Sequence, residues 1–187
     1  MLKPLLACLI LAAPSALVAA QPAAPGEWTV SGNGDGCILY GASAEGTVVS
    51  ILAGQGQDSL IFLVQDKRWA SLRDGAKHAV AVAFDDRGEW NFEAVAKTEL
   101  DSDGPGLMFA VKPGEKAGVN FISQFAAASG MRINRDGQRL ASLPVGDGNL
   151  AMSALAKCMG RMWAGDPAPA EEANPVLEAG SAAATPL

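Results

Sequence analysis

The segment HAVAVAFDDRGEWNFEAVAK, residues 78–97, decides the fold class of this chain. Its two arms, His78–Phe84 and Glu89–Lys97, alternate apolar side chains with small or polar ones, which is the period of a strand with one buried face. The residues between the arms, Asp85-Asp86-Arg87-Gly88, have the chemistry of a tight turn. The segment therefore predicts an antiparallel hairpin whose two apolar faces meet the same core.

Short apolar runs bounded by turn residues recur on both sides of this hairpin, and they predict strands rather than helices. A second hairpin is predicted to turn at Asn134-Arg135-Asp136-Gly137. The other predicted strands are Trp28–Val30, Cys37–Gly41, Thr47–Leu52, Ser59–Val64, Trp69–Leu72, Leu107–Val111, Met131–Asn134 and Arg139–Val145.

Two segments have helical spacing instead. The first, Ala117–Ala128, ends at Ser129-Gly130 and carries an apolar stripe of Val119, Ile122, Phe125 and Ala126. The second begins at a predicted Asn149 cap and carries a stripe of Ala151, Ala154, Leu155, Cys158 and Met162. The predicted fold class is therefore α+β, mainly β: an antiparallel sandwich or a partly closed barrel with two short helices.

The first twenty residues have the pattern of a secretory signal peptide: a charged Lys3, an apolar run, and small residues before Gln21. The apolar run is about half the ~20 residues that a membrane-spanning helix needs. We therefore expect cleavage after Ala20, no membrane insertion afterwards, and a periplasmic or secreted protein. The expected organisation is a signal peptide at 1–20, a linker at 21–26, a single β-rich domain at 27–164 and a disordered tail rich in Pro, Ala and Glu at 165–187.

Cleavage of the signal peptide removes Cys8 and leaves Cys37 and Cys158 in a compartment that oxidises thiols. This predicts one structural disulfide between them. The alternative, a reactive thiol pair, is typical of Cys-x-x-Cys motifs, and the sequence has none.

Composition excludes several classes of function. The chain has 187 residues, of which 20 are acidic and 14 are basic, and the basic residues are scattered, so no nucleic acid partner is expected. One histidine and three cysteines are too few for the usual zinc sites. Phosphate-loop and dinucleotide motifs are absent as well. We therefore expect neither a metal nor a cofactor.

The sequence favours a binding or interaction module of the periplasm without catalysis, whose partner is another envelope protein. The alternative is an envelope hydrolase, which would have to use His78, the one imidazole, with a nearby carboxylate. Local serine-hydrolase signatures are absent. The four tryptophans are expected in and around the core, with a ligand groove as the alternative, and they are Trp28, Trp69, Trp90 and Trp163.

The order of features also carries a family resemblance. Trp28-Thr29-Val30 is followed by Cys37-Ile38-Leu39, later by Met131-Arg132-Ile133, and finally by Leu143-Pro144-Val145 before a helix rich in Ala and Leu. With the signal peptide, this order resembles the invasion-associated locus B family of small secreted proteins from alphaproteobacteria. The resemblance covers about Trp28 to Leu155 and implies a β-rich periplasmic or surface protein without catalysis. It transfers no functional residue to this chain.

Overall fold

The structure is a computed structural model that describes residues 27–33, 35–98, 100 and 103–164. The predicted signal peptide, linker and tail lie outside these residues.

Within the described residues, nine strands form one open antiparallel sheet in the order β1-β2-β3-β4-β7-β6-β5-β8-β9. Helix α1, Lys116–Ala126, follows β7, and helix α2, Gly148–Ala164, follows β9. The strands are β1 Trp28–Asn33, β2 Gly36–Ala42, β3 Val48–Gly54, β4 Leu60–Gln65, β5 Lys77–Phe84, β6 Glu89–Lys97, β7 Gly106–Val111, β8 Gly130–Arg135 and β9 Gln138–Pro144. The predicted fold class, α+β and mainly β with two helices, is confirmed.

The strands bury one face of the sheet, as their alternating sequences predict. In β2 and β3 every second residue is buried and the residues between are half-buried. The buried face packs against the two helices. The centre of this core is the ring of Phe121 in α1, whose centroid lies 5.2 Å from that of Phe62 in β4 and 5.0 Å from that of Phe84 in β5. The sheet therefore curves around α1.

Helix α2 lies against β1 and β2 and is fastened there by the disulfide Cys37–Cys158, with a Cα–Cα distance of 6.1 Å. The two edges of the sheet come close at one point. The Trp28 indole N–H in β1 donates a hydrogen bond of 2.9 Å to the carbonyl oxygen of Val145, just after β9. The sheet is thus open in its strand pairing, but its first and last strands are joined through a side chain.

One predicted strand, Trp69–Leu72, is wrong. The segment after β4 forms turns, in which the Trp69 N–H donates to the Asp66 carbonyl oxygen and the Leu72 N–H donates to that of Trp69. Trp69 and Leu72 are nevertheless buried, because consecutive turns bring side chains three residues apart to the same side. The apolar pattern therefore indicated burial correctly, but the strand that we predicted from it is absent.

The predicted helices exist, but two of their details are wrong. Val119 is 50% exposed, and the buried residues of α1 are Gly118, Phe121 and Phe125. Asn149 does not cap α2. The cap is Asp147, whose carboxylate accepts the Leu150 N–H at 2.9 Å. A glycine makes a close contact in each helix: a Cβ would lie 1.9 Å from the Lys112 carbonyl oxygen at Gly118 and 2.6 Å from the Phe125 carbonyl oxygen at Gly148. A hydrophobicity pattern does not reveal such contacts.

Candidate functional site

The sheet contains a seam between β6 and β7. These strands pair at three positions only, where Val95–Lys97 of β6 lies antiparallel to Gly106–Met108 of β7. Beyond that point residues 89–94 stay paired with β5, and residues 109–111 stay paired with β4. In the described part of the chain, the facing edges of these two segments therefore carry no strand partner.

A cleft of about 310 Å³ opens where the two strands diverge. We call it the β6–β7 cleft. Its lining comes from both strands, from the turn before α1 and from the first half of α1, and consists of Trp90, Phe92, Ala110, Val111, Lys112, Glu115, Ala117, Gly118 and Phe121. Most of this surface is apolar, as expected for a ligand site of a β-rich fold.

Three aromatic rings form the wall of the cleft, and their mutual contacts hold them in place. Trp90 and Phe92 project inward from β6, and both meet the Phe121 ring edge-on, at centroid distances of 5.8 and 5.3 Å. Phe92 also stacks on Phe109 of β7 at a centroid distance of 4.5 Å. Edge-on and stacked pairs are favourable arrangements of aromatic rings, so the wall is ordered without a ligand.

The position of α1 at the cleft depends on Gly118. A Cβ at this position would lie 1.9 Å from the carbonyl oxygen of Lys112, so only glycine permits the helix to approach the end of β7 this closely. The rim beside it is polar: the Lys112 ammonium lies 3.5 Å from the Glu115 carboxylate. Helix α1 also holds Trp90, whose indole N–H donates to the side-chain oxygen of Gln124 at 2.8 Å.

The chain matches no protein-family model, no curated protein and no solved structure.

His78, the residue on which a hydrolase would depend, is near the start of β5 and is not among the residues that line the cleft. Its Nδ1 lies 3.2 Å from a carboxylate oxygen of Asp136 in the β8–β9 turn. This hydrogen bond is the main reason that the pKa of the Asp136 carboxyl lies below its usual range. The other ring nitrogen, Nε2, is buried and has no hydrogen-bond partner among the described residues. A general base must reach a proton of its substrate, and Nε2 is covered in this structure.

The structure separates the four tryptophans that the sequence offers as a possible groove. Trp28 and Trp69 are buried in the core, Trp163 is 62% exposed near the end of α2, and only Trp90 lines the cleft. Sequence reasoning missed the other two rings of the wall, Phe92 and Phe121. The alternation around Phe92 and the helical spacing around Phe121 predict that both side chains are buried. Neither pattern reveals that strand pairing ends beside them.

Two further observations concern the described residues only. No three His, Cys, Asp or Glu side chains come together there as a set of metal ligands. None of the helices there is both long and apolar enough to cross a membrane.

Proposed function

We propose that this protein is an exported, non-catalytic binding module of the periplasm, and that its β6–β7 cleft holds an apolar segment of another envelope protein. The observation that carries the proposal is the open aromatic cleft at the seam of the sheet. Trp90 and Phe92 pack on the buried ring of Phe121 and are themselves only partly covered by the rest of the fold. Preformed aromatic surfaces of this kind supply large contact area with little ordering cost on binding.

Export is supported by the signal-peptide pattern of residues 1–20 and by the disulfide, a bond that persists in oxidising compartments. Membership of the invasion-associated locus B family is part of the same proposal, supported by the order of motifs from Trp28 to Leu155. We propose no role in host-cell invasion.

Blocking the cleft from an exposed position tests the proposal. Ala117 is exposed and lines the cleft, so Ala117→Trp fills it without changing a core residue. Asn120→Trp, which adds the same indole at an exposed position of α1 outside the lining, is the matched control. The exported protein is used to capture partners from periplasm. A partner retained by the wild type and by Asn120→Trp, but lost with Ala117→Trp, supports the cleft as the binding site; equal capture by all three proteins contradicts it.

The second candidate is an envelope hydrolase, and the pairing of His78 with Asp136 is the observation that favours it. A histidine oriented by a carboxylate is one part of a common hydrolytic arrangement. Turnover of an envelope substrate that is abolished by His78→Ala, and that persists in Ala117→Trp, would reverse the ranking of the two functions. The burial of Nε2 counts against the hydrolase.

A further inference from the structure

The outer face of the sheet, which is turned away from α1 and α2, is apolar over one half and polar over the other. In the polar half, strands β6, β5, β8 and β9 direct polar or charged side chains outward, such as Glu93, Lys77 and Arg132. In the other half, β2, β3, β4 and β7, the outward side chains are mostly apolar. An antiparallel sheet with one face in water alternates apolar and polar residues, so this half has the pattern of strands that are covered on both faces.

The large apolar side chains of this half lie next to one another across the strands. Ile38 of β2 is opposite Leu52 of β3, which is opposite Ile61 of β4. In the next outward row, Leu63 of β4 is opposite Met108 of β7. Side chains that are directly opposite on neighbouring strands contact each other. We call this surface the outer apolar face, and its residues are Ile38, Tyr40, Leu52, Ile61, Leu63 and Met108.

The outer apolar face is separate from the core. All of its residues are half-buried, and none belongs to the cluster of buried side chains or to the partly buried residues that pack against that cluster. Leaving apolar surface in water has a free-energy cost that grows with its area, and burying it against a partner removes that cost.

The size of the face matches the centre of a protein–protein interface. Neighbouring strands are ~4.8 Å apart and outward rows are ~7 Å apart, so four strands with two to three rows cover roughly 300–400 Å². A stable interface uses about 800 Å² of each partner, with an apolar centre and a polar rim. The face therefore supplies the apolar share of such an interface, and the polar residues around it supply the rim.

The charge pattern favours a second copy of this chain as the partner. In the described strands β2, β3, β4 and β7, none of the outward residues is charged. Toward β1 the rim carries the hydroxyls of Thr29 and Ser31, and toward β6 and β5 it carries the ion pair of Lys77 with Glu93 at 2.7 Å. Two copies can thus bring these faces together without placing like charges against each other, although the whole chain has a net charge of −6.

Two other occupants fit the face less well. One is the segment 165–187, whose large apolar residues are Val176, Leu177 and Leu187. These are too few to cover a face of this size. The other is a membrane surface, which proteins bind through apolar residues together with clusters of Lys and Arg. The rim here has Lys97 and a Lys77 that is already paired with Glu93, which is not such a cluster.

We propose that the outer apolar face is a self-association surface, on which a second copy of the chain docks with the same face. A two-fold axis places the same patch on both copies, so apolar residues meet apolar residues. Because the sheet curves around α1, this face is convex, and the contact centres on the two middle strands of the apolar half, β3 and β4. Leu52 and Leu63 are therefore the central residues of the dimer. None of the residues of the face lines the β6–β7 cleft, so the proposal does not rest on the proposed function.

The mass of the full exported protein in solution, measured by analytical ultracentrifugation over a dilution series, tests the proposal. We expect a dimer at about 100 µM, since an interface of standard size gives micromolar or tighter binding. A monomer at every concentration up to this one would overturn the proposal.

Paired substitutions test whether the dimer forms through this face. Leu52→Lys with Leu63→Lys places like charges at the centre of the contact and should raise the dissociation constant at least ten-fold. Asn91→Lys with Ser142→Lys adds the same charge at exposed positions of the polar half and is the matched control. The control should leave the dissociation constant within about two-fold, because salt screens charges outside the contact. Equal effects of the two pairs would overturn the assignment of this face.

Charge exchange separates a lost contact from a lost fold. Leu52→Glu with Leu63→Glu should also weaken the dimer, and its mixture with the Lys pair should form a heterodimer at low salt, because opposite charges then meet. A mixture that stays monomeric, although both variants keep the far-UV circular dichroism of the wild type, would overturn self-association through this face. If either variant loses that spectrum, Leu52→Thr with Leu63→Thr replaces it, since threonine favours strands. An unchanged dissociation constant in the Thr pair would then overturn the proposal.

Two further measurements test the other occupants. Val176→Ser with Leu177→Ser should leave the dissociation constant of the dimer unchanged, and a ten-fold tighter dimer would assign the face to the segment 165–187 instead. Vesicles of phosphatidylethanolamine and phosphatidylglycerol should not bind the wild type. Vesicle binding that is lost in the Leu52→Lys, Leu63→Lys pair would assign the face to lipid and overturn the proposal.

Discussion

At the scale of single residues, Asp66 is a buried carboxylate held by several hydrogen bonds. Its side chain is 2% exposed, accepts the Thr47 hydroxyl at 2.7 Å and accepts both the backbone N–H and the Nε–H of Arg68 at 2.8 Å. The Arg68 guanidinium is the main reason that the pKa of Asp66 is lowered from 3.8 to about 2. The carboxylate thereby ties the end of β4 to Thr47, which precedes β3.

Replacing this carboxylate tests its contribution to stability. We expect Asp66→Asn to lower the free energy of unfolding by about 2 kcal/mol at neutral pH, measured by urea denaturation. Because the folded-state pKa is the lower one, the wild-type advantage is complete above the unfolded pKa of about 3.8 and is lost as the pH falls toward 2. The exposed Asp58→Asn is the control and should change stability by less than about 0.5 kcal/mol. A deficit for Asp66→Asn that persists unchanged at pH 2 would contradict the ion-pair explanation.

Two helical glycines make opposite predictions for the same substitution. Gly118→Ala places a Cβ against the Lys112 carbonyl, and we expect a loss of about 1–3 kcal/mol in unfolding free energy together with a displaced α1. Gly160→Ala, in α2, places its Cβ in open space and should stabilise the protein by about 0.5–1 kcal/mol. The denaturant midpoints of both variants, compared with that of the wild type, test these two opposite changes. Equal effects of the two substitutions would show that helix propensity alone governs Gly118.

At the scale of elements, the sequence predicts best what is local. Both hairpins were predictable because their turns are rich in Asp and Gly, the residues that tight turns favour. In the structure, Asp85 and Asp136 adopt the positive φ angles that such turns need, 48° and 50°. The pairing of Cys37 with Cys158 was predictable because the expected cleavage after Ala20 removes Cys8 and leaves only these two cysteines.

The cleft was not predictable, because it depends on contacts between elements distant in the chain. β7 lies between β4 and β6 in the sheet, and nothing in any single segment fixes that order. Pairing of β6 with β7 ends at Val95 and Met108, and the close approach of Gly118 in α1 to Lys112 joins two further segments at the cleft. Hydrophobic periodicity reports which side chains are buried and carries no information on which strands become neighbours.

The disulfide predicts a specific behaviour of α2. Removing it with Cys37→Ala and Cys158→Ala should lower the free energy of unfolding by about 2–5 kcal/mol, because it closes a long loop in the unfolded chain. Amides of α2 should lose more protection against hydrogen exchange than those of β5 and β8, since the bond fastens α2 to β2. Reduced wild-type protein is the control and should match the double variant. Unchanged protection of α2 would show that packing alone holds the helix.

At the scale of the whole molecule, the predicted export and oxidation have one joint signature in the intact mass. Protein recovered from the periplasm should begin at Gln21 and should weigh two hydrogens less than its reduced form. Alkylation should modify two thiols after reduction and none before. A mass that retains residues 1–20, or two thiols accessible before reduction, would contradict this prediction.

The same disulfide also gives the fold a closed covalent topology. It joins residues 121 positions apart, so the chain from β2 to α2 lies within one ring of covalent bonds. A protease that cuts one exposed turn inside this ring, such as Arg87-Gly88 or Gly137-Gln138, opens the ring and releases no fragment. Nicked molecules therefore keep β2–β9 and α2 on a single covalent body, and reduction followed by sizing would reveal cuts that an unreduced sample conceals.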